Sequence, residues 1–486
     1  MASIFFSRRK FLVFLLMCSL FFAVSASEAQ IKKTKHATTE LILPDTSRTS
    51  LLMPVTPQDT GKYSSSQSLT LKQCIDYALL HQPALNKALI NVDIAKTTNA
   101  INLAPWLPQV SASGNLVHYI QLPNTSATVN TGNPSPGVTT KNQTVTNSFI
   151  PGLTASQAIF NPNLLYVSKA APLYVKQAQQ ITDSTKILLV TQISKSFYNT
   201  LLNLEQINVL KEDTARLGKN LRDAYHQYKG GIVDETDYEQ ASITLNNSMA
   251  QLRQANENIV PLYATLKQLM GYPPQQQFNL NFDTLQMSRD INIDTTQQLQ
   301  YEKRIEIQQI ATEKQLQSKL ISYYKYSFIP TLSAFYNYNL AFENDQFSKL
   351  FTSTTFPNSV VGLTFSVPIF TGGARLHNLH KAKLQEKLIT WNETGLKSQI
   401  YTEYTTALAT YKSNFYNLHL LQKNVNKAKR VYFVVSLQYK QGIVPYLNVI
   451  TAESNLITSE IGYLNALFQV LSSKIDLQKA MGNISY

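Results

Sequence analysis

Two histidines three residues apart, His377 and His380, and two near-identical hexapeptides, YKGGIV at 228–233 and YKQGIV at 439–444, are the first places to look for chemistry in this chain. Histidines at that spacing share a helix face and can ligate a metal. No acidic or cysteine residue lies within a turn of them, so the pair reads as helix surface. Glycine-rich phosphate loops, a G-x-S-x-G elbow and an H-E-x-x-H pair are all missing from the sequence. Enzymatic function has no positive support, and no cofactor is implied. What the hexapeptides bring is hydrogen-bonding and ionic chemistry: Tyr228 and Tyr439, then Asp234, Glu235, Thr236 and Asp237 after the first, and Asn448 and Thr451 after the second. A turn between two helices explains their glycines completely. It does not explain why Tyr-Lys and Ile-Val are kept as well.

The elements that carry these residues are duplicated. The 211-residue offset between the hexapeptides also places Ala241 on Ala452, Leu245 on Leu456 and LMG at 269–271 on AMG at 480–482. Each copy is then one structural unit that needs its sister. The first repeat is assigned to 69–271, a Pro- and Gln-rich connector to 272–298, and the second repeat to 299–482. Each follows one plan: helix, strand, loop, strand, long helix, tip, returning helix.

Prolines are missing between Pro172 and Pro261 and between Pro368 and Pro445, and an interior proline breaks a helix, so both windows are open for very long helices. Ile193, Phe197, Leu204 and Ile207 answer Tyr404, Leu408, Phe415 and Leu418 at the common offset, with the spacing of one buried helix face. A helix from Ala374 to Gln438 would be about 100 Å long, which suits a coiled-coil tube. Gly231 and Gly442 stand where a left-handed cap would end the outgoing helix. Thr236 to Glu239 has capping-box spacing for the first returning helix, and Pro445 suits the first position of the second.

Strand alternation is the other signal. In 331–341 Leu332, Ala334, Tyr336, Tyr338 and Leu340 share a face opposite Thr331, Ser333, Asn337 and Asn339, with Phe335 the exception. In 360–370 Val361, Leu363, Phe365, Val367 and Ile369 oppose Gly362, Thr364 and Ser366. Segments 109–120 and 152–160 are weaker versions. Each is close to the ~9–11 residues a tilted strand needs to cross a bilayer. A half-buried sheet in a soluble domain would alternate too. The balance is shifted by a charged fraction of 15%, an aromatic-bearing apolar face and the N-terminus. There, Arg8, Arg9 and Lys10 precede an apolar run from Phe11 to Val24 and small residues at 25–27, the pattern of a signal peptide over 1–26. Lipidation at Cys18 is disfavoured by Met17 before it and FFAV close behind. Residues 27–68 read as a flexible leader rich in Ser, Thr and Lys. With the signal removed only Cys74 remains, so no intramolecular disulfide is available. The formal charge of +13 includes the three signal cations and is otherwise scattered, which argues against nucleic acid as a partner. Even the smallest barrels need about eight strands, so four per chain require several chains to share one. Segments 121–146 and 342–358 have the composition of exposed loops.

The paired tips, WLPQVSASG beside FIPTLSAFY, and ASQAIF beside SVPIFTGG resemble the TolC-like outer membrane efflux protein family over roughly 69–482, most specifically at VPIFTGGARL. The resemblance implies an α+β membrane protein in which three chains build one twelve-stranded outer-membrane β-barrel continuous with a periplasmic helical tunnel. It implies a passive exit duct, a homotrimer in outer-membrane lipid, served by a periplasmic adaptor and an inner-membrane pump of the RND type. A protein-secretion duct is the alternative within the family; a structural coiled-coil envelope protein or adhesin is the alternative outside it. The resemblance also implies a gate and adaptor contact at the tips: Tyr228, Gly231, Asp234, Glu235, Thr236, Asp237, Tyr439, Gly442, Ile443, Val444, Asn448 and Thr451. Here the chain departs from the family pattern, since Val444, Asn448 and Thr451 occupy positions where charges stand in the best-known member. Closure is therefore expected to rest on neutral hydrogen bonds and on apolar packing around Ile443 and Val444.

Overall fold

A computed structural model describes residues 68–121, 145–281, 291–352 and 354–486. The signal peptide, nearly all of the leader, most of the 121–146 loop and part of the connector lie outside the described residues. The duplicated plan is realised directly. The first repeat contributes α1 (Leu71–His81), α2 (Pro83–Leu103), β2 (Gln109–His118), β3 (Asn147–Phe160), α3 (Pro162–Lys229) and α4 (Glu235–Met270). The second contributes α5 (Ile305–Tyr326), β5 (Thr331–Asn344), β6 (Thr355–Ser366), α6 (Ala374–Lys440) and α7 (Tyr446–Ala480). Two short strands, β1 (Ser68–Leu69) and β4 (Asn279–Leu280), pair in parallel and tie the start of the first repeat to the connector.

At 68 and 67 residues, α3 and α6 are each about 100 Å long. The start of α3 corrects the proline argument. It begins at Pro162 and runs through Pro172, and α4 runs through Pro261. Beside Pro172, Asn99 Nδ2 on α2 donates to the Ala171 carbonyl at 2.5 Å, which fastens α2 to α3 at this point. The shared stripe behaves as expected. Ile193, Phe197, Ile207 and Leu418 are buried, while Leu204, Tyr404, Leu408 and Phe415 pack against the same core. That core, halfway along the long helices, gathers α1, the connector and the ends of α4 and α7 around Leu266, Met270, Val470 and Leu477. Cys74 is fully buried within it, and burial pushes its thiol up to about 12, so it is inert.

The four long strands form one antiparallel sheet in the order β2-β3-β5-β6. Observed strands are longer than the alternation suggested at β3 and β5, and β6 spans 355–366, so Val367 and Ile369 fall after it. The expected 342–358 loop shrinks accordingly, and its centre is a 3-10 turn, Phe347–Thr352, whose Leu350 is buried. Register aligns Leu153, Tyr338 and Ser359 across three strands, and Ala155, Tyr336 and Val361 beside them. One face is thereby apolar across the sheet and open: Val110, Leu153, Val361, Leu363 and Phe365 are all exposed. Phe335, the exception on the polar face, pairs with Gly362, where an added Cβ would meet its ring at 2.6 Å. The ring covers a position without a side chain, the aromatic rescue of a strand glycine. Among the described residues β2 and β6 each have one edge unpaired. Among the described residues no helix is long and apolar enough to cross a membrane.

Candidate functional site

Both hexapeptides fold into the same helix stop. At the first tip Gly231 (φ 72°) donates from its N–H to the Tyr228 carbonyl at 2.9 Å, and Ile232 to the Gln227 carbonyl at 2.9 Å. At the second, Gly442 (φ 71°) donates to Tyr439 and Ile443 to Gln438, both at 2.9 Å. This is the Schellman arrangement, in which a left-handed glycine satisfies carbonyls the helix leaves free. The following helices start differently from the expectation. Asp234 caps α4, its Oδ1 accepting from the Glu235 N–H at 2.6 Å, while Thr236 is exposed inside the first turn. The shorter loop puts the carboxylate, rather than the hydroxyl, at the cap. Pro445 is likewise the N-cap of α7 (ψ 159°), one position earlier than expected.

The two hairpins meet just behind these turns. Tyr439 Oη donates to Gln227 Oε1 at 2.5 Å, joining second tip to first. Ala224, Ala241, Tyr446 and Val449 form a small apolar core, with Leu221, Tyr432, Val435 and Tyr439 against it. Tyr439 and Tyr446 rings lie 5.2 Å apart. Burial pushes the Tyr439 hydroxyl up to about 12, helped by the negative charges of Asp237 and Asp223. Asp237 is itself raised, first by burial and then by Asp234. Tyr228 stacks on Tyr238 at 6.2 Å, and Lys229 Nζ stands 5.8 Å from the Tyr228 ring. A cleft of about 320 Å³ opens between the hairpins, lined by His226, Gln227, Tyr439 and Tyr446 among others.

Of the residues singled out in the sequence, the structure therefore brings Tyr439 to Gln227 and sets Asp237 near it. Asn448 and Thr451 lie elsewhere: they share the exposed face of α7, opposite buried Tyr446, Val449 and Ala452. Within the chain the apolar packing centres on Tyr446 and Val449, whereas Ile443 is 69% exposed and Val444 half-buried.

Sequence reasoning missed the polar cluster above the tips. Arg216 Nε donates to Glu453 Oε1 at 2.8 Å, Asn220 Nδ2 to Glu453 Oε2 at 3.0 Å, and Arg216 also binds Asp213 Oδ1. The guanidinium sits 5.0 Å from the Tyr432 ring. A readable signal existed: Glu453 falls in phase with Tyr446, Val449 and Leu456, a carboxylate on an apolar stripe. Among the described residues no group of three or more His, Cys, Asp or Glu could hold a metal, and His377 and His380 are exposed.

The chain joins a bare-edged sheet with an apolar exposed face to helical hairpins whose outgoing helices are about 100 Å long, an arrangement suited to a membrane barrel shared between chains. The profile of the outer membrane efflux protein family matches residues 74–272 and 298–483, and the chain belongs to that family. It is 20% identical over 446 residues to the outer membrane protein TolC of Escherichia coli K12, covering 88% of this chain and 85% of TolC. The cation efflux system protein CusC of the same organism is 22% identical over 425 residues, covering 85% and 86%. A crystal structure of CusC superposes with a TM-score of 0.69 at 19% identity, over 85% of this chain and 91% of that one. The protein is thus an outer-membrane efflux channel with the fold of CusC.

Proposed function

We propose that three copies of this chain close one barrel and one helical tunnel, forming a passive exit duct for small molecules or ions. The observation that carries this is the sheet: four strands, an apolar exposed face, and an open edge on β2 and on β6. In lipid an open edge leaves backbone groups without partners, and only another copy of the same sheet satisfies both edges at once. The chain itself performs no chemistry. Cargo and energy come from an inner-membrane pump through a periplasmic adaptor, which docks where Gly231 and Gly442 end the hairpins. Asp234, Glu235, Thr236 and Asp237 border the first of these contacts; Ile443, Val444, Asn448 and Thr451 border the second. The neutral Tyr439–Gln227 bond supports closure without an ion pair at this level.

Reconstitution of the purified, signal-processed protein into planar bilayers tests the duct. Discrete conducting steps that open further when the tips are freed are the expected result. A protein that inserts into membranes yet never conducts is not a duct.

A further inference from the structure

The cluster above the tips holds two carboxylates and one guanidinium where the fold needs none. Its equivalents at the repeat offset are Asn424 for Asp213, Lys427 for Arg216 and Ser242 for Glu453, so the second copy does not repeat the cluster. The cluster joins α3 of the first hairpin to α7 of the second, with Tyr432 of α6 against the guanidinium. Its side chains are 1% exposed for Asp213, 0% for Glu453 and 27% for Arg216.

The charges do not balance. Both Glu453 oxygens are used, one by Arg216 and one by Asn220. Asp213 has its Oδ1 on Arg216, but its buried Oδ2 has no hydrogen-bond partner among the described residues. One guanidinium thus faces two buried carboxylates, and a second negative charge in such a site is strongly opposed by burial and by its neighbour. The surroundings do not supply the missing cation. On α7 Glu460 acts on Asp213 with the same sign, and Lys429 of α6 is held by Glu460 at 3.1 Å. Tyr432 and Tyr446 are phenols raised by burial and so neutral, and beside Asp213 the α3 residue Thr214 meets α4 at the uncharged Ser248 hydroxyl, 3.1 Å from its Oγ1.

We propose that Asp213, Arg216 and Glu453 form a proton-loaded clamp between the two hairpins, which a proton on Asp213 tightens and its loss weakens. The proton sits on the unpartnered Oδ2, leaves Asp213 Oδ1 as a neutral acceptor, and balances Arg216 against Glu453 alone. The direction of the shift agrees. Burial, opposed by Arg216 and assisted by Glu460, raises Asp213 to about 6. Glu453 is also raised, by burial against the pull of Arg216.

The sign follows by linkage. With its pKa raised in the clamped state, Asp213 binds more protons there than in a released, hydrated state near its ordinary value of about 4, so clamping is favoured as pH falls. Its contribution is present at acid pH and is lost as pH rises through about 6. Between pH 7.5 and 5.0 the clamped-to-released ratio should rise about tenfold per chain.

The proposal rests on the tips being the entrance of a duct, and the test separates the two. Open probability of the reconstituted channel is measured from pH 7.5 to 5.0 for the wild type, D213N and E453Q. Wild-type opening should fall at least about tenfold on acidification, the factor for a single chain. D213N, which fixes the proton-loaded charge balance, should open at pH 7.5 at least as rarely as the wild type at pH 5.0. E453Q restores one carboxylate to one guanidinium by the other route, so both variants should change less than about twofold across the window. Either variant, folded as the same oligomer and keeping the wild-type profile, overturns the clamp. Preparations that never conduct, wild type included, overturn the duct reading instead.

Discussion

Replacing Arg216 by methionine is expected to destabilise the joint between the hairpins by about 3–5 kcal/mol, the usual cost of breaking a buried ion pair from one side. The change leaves Asp213 and Glu453 buried and facing each other without a cation, and removes the contact with Tyr432. Thermal loss of helicity in mild detergent should move to clearly lower temperature. Removing all three charges together, as D213N, R216M and E453Q in one chain, should recover most of the loss, because replacing a whole buried cluster is often close to neutral. An R216M chain as stable as the wild type would mean that the cluster is hydrated and bears no strain.

The second large effect concerns selectivity. Asn448 and Thr451 share the exposed face of α7 just past the second tip, and neither is charged. Replacing both by aspartate would gather six carboxylates around a three-fold axis, and such a ring selects cations and binds polyvalent ones. Planar-bilayer recordings should then show reduced anion passage and block by trivalent cations, with the wild-type channel blocked only weakly. Unchanged selectivity and block in the double variant would remove these two residues from the narrowest point.

Much of this architecture is readable from residues alone, for physical reasons. A duplicated sequence repeats its turn chemistry, so Gly231 and Gly442 announce two left-handed helix stops, and both are found. The buried stripe at Ile193 and Phe197 follows helix periodicity and is likewise found. Proline is the weak guide: Pro172 and Pro261 both sit inside long helices, at exposed positions where the helix continues past one missing backbone donor. The cap at Asp234 was misplaced by two residues because Ser, Thr, Asp and Asn cap comparably, and only the length of the turn decides among them. The Arg216 cluster joins residues more than 230 positions apart in sequence, and periodicity on one helix says nothing about which face of another it will meet.

Chains share one barrel only if each completes its neighbour's sheet. Cysteines placed in the two open edges, at Ser111 or Ser113 of β2 together with Val360 or Thr364 of β6, report this directly. The native Cys74 is buried and unreactive, so it stays silent. Two full strands lie between those edges within one chain, and no internal disulfide spans them. Oxidation of membranes carrying such a chain should link two and then three copies, and stop at three. A membrane-integral chain that never links to another copy, at any of these pairs, or a ladder that runs past three, would contradict the shared barrel.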